Sequence, residues 1–200
     1  MRGGPPGRFR VRPACHTSAM SDRPPTVRHW GPVLYGNPCH ECGFDWNISS
    51  EAAIGLVATM PKLYAQILAA AGSDGSERDP ELQWSARAYV CHVGDNLRIW
   101  AERLVSISRG ASSEVARYDQ VLLGEARVYD GVAIEGAIWS LERAAEDWQS
   151  AVDEASAAGV VLSHPDRGEQ SLLDVVRSNA HDAFHHQWDI QRSLRGTARA

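Results

Sequence analysis

Four segments of the chain repeat their apolar residues at the three- and four-residue spacing of an amphipathic helix. They cover approximately residues 50–71, 85–107, 131–158 and 171–194. Ser85 is placed to cap the second segment, and Gly159 is placed to end the third. Four amphipathic helices with one longer connection are typical of a four-helix bundle, so the pattern predicts an all-α fold.

Two regions do not follow this periodicity. Residues 1–37 are rich in Pro, Gly and Arg, which is the composition of a disordered tail, so the predicted bundle domain covers residues 38–196. A second methionine, Met20, leads to the hypothesis that translation begins near it. Residues 111–130 are ambiguous, because the apolar residues 121–123 fit either a short strand or a packed loop.

Composition and charge exclude several classes of protein. The 200 residues carry a formal net charge of −5 and form no basic patch, which argues against nucleic-acid binding. The longest apolar run falls short of the ~18 residues of a membrane helix, and the basic N-terminus lacks the apolar core of a secretory signal. The cysteines, at positions 15, 39, 42 and 91, are spaced too unevenly for a disulfide framework. We therefore expect a cytoplasmic monomer or homodimer that binds small molecules.

The fourth helical segment contains three histidines in HDAFHH, residues 181–186. Because helical residues turn by about 100° each, His181 and His185 share one edge of the apolar face, and His186 lies at the opposite edge. An i, i+4 pair of histidines can hold one divalent cation. A third ligand is available in His92, which borders the apolar stripe of the second helix and would face the same core. The alternative is that these are polar helix-edge residues without a metal.

A CxxC motif followed by Gly, in CHECGF, precedes the first long helix. Cys39 and Cys42 supply half of the four ligands that a structural zinc site needs, and no second CxxC follows. Three interpretations stay open: a second metal site, a redox-active or thiol-exchanging pair, and two inert thiols.

Together these motifs resemble a known family. A histidine in WSARAYVCHVGDNLRIWAERL, with HDAFHHQWDI far downstream, is similar to the DinB-like superfamily. With CHECGFDW added, the chain resembles the actinobacterial branch related to mycothiol-dependent maleylpyruvate isomerases and other mycothiol S-transferases. The resemblance covers about residues 38–195. It implies a bundle wound up-down-down-up and a divalent metal, zinc or nickel, on His92, His181 and His185. Some thiol-transferring relatives have Glu where this chain has His181.

The resemblance also implies a chemistry. Three protein ligands leave a coordination position open, and a thiol bound to a dication loses its proton near neutral pH. The leading hypothesis is a metal-dependent transferase in which mycothiol, or a similar low-molecular-weight thiol, attacks an electrophilic small molecule, with no catalytic residue beyond the metal ligands. One alternative is a hydrolase that uses a metal-bound water, and another is a bundle that binds metal or thiol without catalysis.

Overall fold

The computed structural model describes residues 30–196. Its elements in chain order are helix α1 (Pro32–Tyr35), α2 (Ser50–Ala71), α3 (Ala86–Ser108), α4 (Gln120–Ala126), a 3₁₀ turn (Tyr129–Gly131), α5 (Ile134–Ala158), strands β1 (Val161–His164) and β2 (Gly168–Ser171), and α6 (Leu172–Gly196). The predicted all-α four-helix bundle is confirmed, with α2, α3, α5 and α6 as its helices. Residues 1–29 of the predicted tail, with Met20, lie outside the described residues, whereas residues 30–37 contain α1.

The two predicted boundary signals are present at the ends of α3 and α5. The Ser85 hydroxyl accepts a hydrogen bond from the Ala88 N–H at 3.2 Å, which satisfies one of the unpaired amides at the start of α3. Gly159 ends α5 with a φ of 65°, a conformation that residues with a side chain rarely adopt. These signals act within a few residues of the chain, so the sequence was sufficient to locate them.

Helix α2 is long and apolar enough, by composition alone, to cross a membrane. In the bundle it buries a stripe of side chains: Ala53, Val57, Met60, Tyr64 and Leu68. The stripe follows helical spacing and faces the other helices, as is typical of an amphipathic helix in a bundle.

The long helices surround one core in an order that differs from their order in the chain. Both α2 and α3 pack against α5 and α6, so α2 and α3 lie diagonally opposite each other. Gly94 packs on Leu141, and Arg109 forms an ion pair with Glu154 at 2.9 Å. These contacts advance in the same direction along α3 and α5, so those two helices are parallel.

Helix α6 runs antiparallel to α3 and parallel to α2. Tyr89, in the first turn of α3, stacks on His186. Asn96, two turns further along α3, bonds to Asp182, which lies one turn earlier on α6. On the other side, the Tyr64 hydroxyl donates to the Ala183 carbonyl. The Arg177 guanidinium, one and a half turns before it, donates to the Ile48 carbonyl at the start of α2. The bundle is therefore wound up-down-down-up.

The hydrogen bond between Tyr64 and Ala183 gives a test of this packing. We expect Tyr64→Phe to lower the free energy of unfolding by about 1 kcal/mol, because it deletes one buried hydrogen bond and little volume. Urea denaturation measures the change. Tyr35→Phe, at a tyrosine that is 37% exposed, is the matched control and should change the free energy by less. Equal effects of the two substitutions would contradict this account.

The connections between helices contain structure that the periodicity did not predict. In the ambiguous segment, residues 120–126 form neither a strand nor a loop but the short helix α4, whose first amides are capped by the Asp119 carboxylate. Residues 161–171 form an antiparallel hairpin that pairs Leu162 with Gln170, and both residues are buried. Strands of four residues are too short for alternation to reveal them.

Candidate metal centre

The HDAFHH motif on α6 contains two overlapping i, i+4 pairs, Asp182 with His186 and His181 with His185. Each pair contacts a different part of the chain. Asp182 and His186 meet His92 of α3, and we call these three residues the α3 cluster. His181 and His185 meet Cys39 and Cys42 from the segment before α2, and we call these four the cysteine cluster. Within each cluster the potential ligand atoms all lie within 4.8 Å of one another.

The predicted ligands His92, His181 and His185 are divided between the two clusters. As a metal-ligand set they remain a prediction, but the structure does not assemble them at one point. His186, which the helical geometry left outside the site, lies beside His92 instead. The reason is that both edges of the buried face of α6 are covered, one by α3 and the other by the segment that contains Cys39.

Three donor atoms converge in the α3 cluster. The Nε2 atom of His92 is buried and has no hydrogen-bond partner among residues 30–196. It lies 3.6 Å from Oδ1 of Asp182, and Nε2 of His186 lies 3.6 Å from the same oxygen. These distances are too long for hydrogen bonds and leave space between the three atoms. Two imidazoles and one carboxylate are a donor set that fits a divalent cation such as zinc or nickel.

Neighbouring side chains fix the orientation of these donors. The Nδ1–H of His186 donates to Oδ2 of Asp189 at 2.8 Å, which directs Nε2 toward the cluster. The amide of Asn96 donates to Oδ2 of Asp182 at 2.9 Å, and the Tyr118 hydroxyl donates to that amide's oxygen at 2.8 Å. Such contacts are the usual support of metal-binding histidines and carboxylates.

Aromatic rings enclose the two imidazoles of the α3 cluster. The Trp84 ring lies 4.8 Å from the His92 ring, and the Tyr89 ring lies stacked 4.9 Å from the His186 ring. The two imidazoles meet edge to face, 4.8 Å apart and at 87°. The rings therefore have defined orientations before any ligand binds.

Electrostatics in the α3 cluster favour positive charge beside Asp182. Burial raises the pKa of this carboxyl, but His92 and His186 outweigh burial and hold the pKa well below its usual range. Burial lowers the pKa of His186, but Asp182 and Asp189 outweigh it and raise the pKa to about 9. The cluster thus holds a proton where a cation would bind.

The cysteine cluster is also withdrawn from solvent. Cys39 and His181 are buried, and Cys42 and His185 are half-buried. Burial raises the pKa of the Cys42 thiol to about 12 and lowers the pKa of His181 to about 4. Burial and the charge of His186 also lower the pKa of His185. Both imidazoles are therefore neutral at pH 7, which is the form that binds metals.

A cavity of about 350 Å³ opens between the two clusters, and its wall includes Asp182 of the α3 cluster and His181 of the cysteine cluster. Three arginines line it: Arg103, Arg117 and Arg167. Arg117 forms an ion pair with Asp166, which also lines the cavity. The remaining wall includes aromatic residues of α1, of the segment before α2, of α3 and of the connection after α3: Tyr35, Trp46, Trp100 and Tyr118.

Sequence reasoning missed Asp182 and Asn96. The signal for Asp182 was present, because a carboxylate four residues before His186 forms the same stacked pair as two histidines. No local signal identifies Asn96. Asp95, three residues after His92, lies away from the cluster: it accepts a hydrogen bond from Tyr129 at 2.7 Å and pairs with Arg127 at 2.9 Å.

Comparisons with known proteins agree with this architecture. A model of the DinB superfamily matches residues 17–190, whereas no curated protein matches the chain. A solved structure that matches is YfiT from Bacillus subtilis, described as "a probable metal-dependent hydrolase with an unusual four-helix bundle topology". The two chains are 18% identical with a TM-score of 0.62, and the match covers 76% of this chain and 90% of YfiT. At this identity the likeness concerns the fold. The family match, which spans most of the sequence, shows that this chain belongs to the DinB superfamily.

Proposed function

We propose that the protein is a metal-dependent transferase that uses a low-molecular-weight thiol, of the mycothiol type, against an electrophilic small molecule. The α3 cluster would hold the divalent cation, zinc or nickel, through His92, Asp182 and His186. The observation that carries the proposal is that three donors converge, that one of them is buried and without a partner among residues 30–196, and that another, Asp182, lines an open cavity. Three protein ligands leave room for an external ligand, as catalytic sites do.

A carboxylate in the α3 cluster is in keeping with a thiol as that external ligand. Some of the thiol-transferring relatives that the sequence resembles have Glu where this chain has His181, one position before Asp182. Asp182 supplies a carboxylate four residues before His186, in the same kind of pair. Membership of the mycothiol-dependent actinobacterial branch, and a cytoplasmic location where thiols stay reduced, are parts of the proposal.

Each residue of the site has a task in this chemistry. A bound dication supplies stabilisation of a thiolate at neutral pH. Asp189 keeps a proton on Nδ1 of His186, so a cation that displaces the second proton would meet the lone pair of Nε2, which is directed into the cluster. Asn96 fixes one oxygen of Asp182 and so presents the other to the cluster.

The cavity suggests the charge of the electrophile. Arg103 and Arg167 line it, and within residues 30–196 neither is paired with a carboxylate. Arg103 lies 4.7 Å above the Trp100 ring and 5.5 Å above the Tyr118 ring, which fixes its guanidinium at the wall. Guanidinium groups bind carboxylates in a bidentate manner, so a small carboxylic acid is the substrate class that we propose.

The hydrolase is the second candidate, because the description of YfiT names that activity for YfiT. A hydrolase needs an acid–base residue whose pKa lies near the working pH. In the cavity wall, burial and Arg167 lower the pKa of His164 to about 4, which makes this imidazole a weak base at pH 7. A transferred thiol needs no such base when it binds as a thiolate.

Thiol consumption tests the proposal directly. Zinc- or nickel-loaded protein, incubated with mycothiol and monochlorobimane, should produce the fluorescent thioether faster than the metal-free protein does. The native protein should prefer electrophiles that carry a carboxylate over neutral ones. The Arg103→Gln variant should have a higher KM for the carboxylate-bearing electrophiles. His92→Ala should abolish the metal-dependent rate, whereas His40→Ala, at an exposed histidine outside both clusters, should retain it.

The alternatives give different results in the same experiment. Metal-dependent cleavage of esters or amides without a thiol would favour the hydrolase. Bound metal, with neither thiol consumption nor hydrolysis for any electrophile or ester tried, would contradict both enzymatic functions and favour a bundle that only binds metal or thiol.

A further inference from the structure

The cysteine cluster has the composition of a complete metal site and plays no part in the proposed reaction. It lies on the opposite edge of α6 from the α3 cluster, and its four members come from two distant parts of the chain. We propose that Cys39, Cys42, His181 and His185 bind a structural zinc ion that joins the segment before α2 to α6.

The backbone before α2 is shaped to present both thiols on one side. The Gly43 N–H donates to the Cys39 carbonyl at 2.8 Å, and the Cys39 N–H donates to the Phe44 carbonyl at 2.9 Å. Gly43 has a φ of 77°, which favours glycine and closes the turn directly after Cys42. The turn therefore holds the two sulfur atoms together without any contribution from a metal.

The two histidines complete the set with unused nitrogens. Nε2 of His181 and Nδ1 of His185 are both buried and have no hydrogen-bond partner among residues 30–196. The other nitrogen of His185, Nε2, lies 3.5 Å from Glu41 and 3.6 Å from Asp189. One nitrogen of each ring is thus left for an ion, while carboxylates flank the outer nitrogen of His185.

The geometry and the charge both suit zinc. All four donor atoms lie within 4.8 Å of one another. Ligands around a tetrahedral zinc lie roughly 3.3–3.8 Å apart, so small side-chain movements would close the site. Binding breaks two S–H bonds, and the two protons pass to solvent. Two thiolates then balance the charge of Zn²⁺, and two neutral imidazoles add none. A neutral complex avoids the cost of an unpaired buried charge.

Four protein ligands leave no open position, so the ion would support structure and not catalysis. The rings of Tyr35, Phe44 and Trp46 surround His181 at centroid distances of 4.7, 5.4 and 4.5 Å. Tyr35 and Trp46 also line the cavity beside the α3 cluster. The zinc would therefore hold the aromatic wall of that cavity against α6.

The zinc content of the protein tests whether the cysteine cluster binds an ion. We expect full-length protein, loaded with zinc and desalted, to lose one zinc ion per chain when Cys39→Ser and Cys42→Ser are combined. His40→Ala is the matched control, because it changes an exposed side chain between the two cysteines, and it should keep the full zinc content. An unchanged zinc content in the double variant would overturn the proposal.

Cobalt replaces zinc in a second measurement that does not require the serine variant to fold. In the His92→Ala variant, where the α3 cluster is disabled, added Co²⁺ should produce a thiolate-to-cobalt charge-transfer band in the near ultraviolet. Absence of that band would overturn the proposal, as would a Cys39–Cys42 disulfide in zinc-loaded protein, seen as a loss of two hydrogens by mass spectrometry. These readouts concern sulfur ligation alone, so they are independent of whether the α3 cluster transfers thiols.

Discussion

Replacement of His186 with alanine is expected to remove the ion from the α3 cluster and to abolish metal-dependent thiol consumption. His186 supplies one of three converging donors, and its Nε2 lies 3.6 Å from Oδ1 of Asp182. Loss of a side chain that only supports a ligand typically lowers metal affinity 10–100-fold. Loss of the ligand itself should lower the rate by more than about 100-fold.

The neighbouring histidine provides the control. His185→Ala changes the same side-chain type one position earlier, but at a residue of the cysteine cluster. The His185→Ala variant should keep the ion of the α3 cluster and lose the zinc ion of the cysteine cluster. Inductively coupled plasma mass spectrometry, the bimane assay and thermal melting of both variants would show metal content, activity and folding. The reverse pattern, with the reactive ion lost only in His185→Ala, would favour the ligand set His92, His181 and His185.

Asp182→Asn tests the same cluster by a different route. The substitution keeps the shape of the side chain and removes its charge, so it should release the ion without leaving a cavity. The Asn96 amide that faces Asp182 could still bond to the new side chain's oxygen. A variant that folds, retains the metal and retains activity would exclude Asp182 as a ligand.

Asp189→Asn is expected to weaken both metal sites, and the α3 cluster more strongly. Asp189 is buried, and its Oδ2 lies 2.8 Å from Nδ1 of His186 and 3.6 Å from Nε2 of His185. It therefore supports one ligand of each cluster. Removal of its charge should lower the metal affinity of the α3 cluster 10–100-fold. The longer contact to His185 predicts a smaller change at the cysteine cluster.

Chelator competition with each cluster disabled in turn measures the two affinities separately. His92→Ala leaves the cysteine cluster for measurement, and the Cys39→Ser/Cys42→Ser variant leaves the α3 cluster. Asp153→Asn is the matched control, since Asp153 is an exposed carboxylate on α5, and it should change neither affinity. An equal affinity of the α3 cluster with and without the Asp189 charge would contradict the supporting role of this residue.

The sequence was sufficient to predict the helices of the bundle, because the signals that define a helix are local. The predicted first helix, residues 50–71, coincides with α2, and the third and fourth begin and end within a few residues of α5 and α6. Apolar spacing, the Ser85 cap and the Gly159 terminator all act within a few turns. The short elements after α3 and α5 escaped prediction because segments of four to seven residues carry too little periodicity.

Within HDAFHH, the sequence by itself determined that i, i+4 neighbours on α6 stack, and it selected His92 as a partner across the bundle. Only the tertiary structure decided which pair meets which partner. Each pair meets a different partner because α3 covers one side of α6 and the Cys39–Cys42 turn covers the other. Adjacent residues on a helix point about 100° apart, so Asp182 and His186 face His92 while the neighbouring pair faces the thiols. That choice depends on contacts between residues 90 to 146 positions apart, from His92–Asp182 to Cys39–His185, which no local pattern encodes.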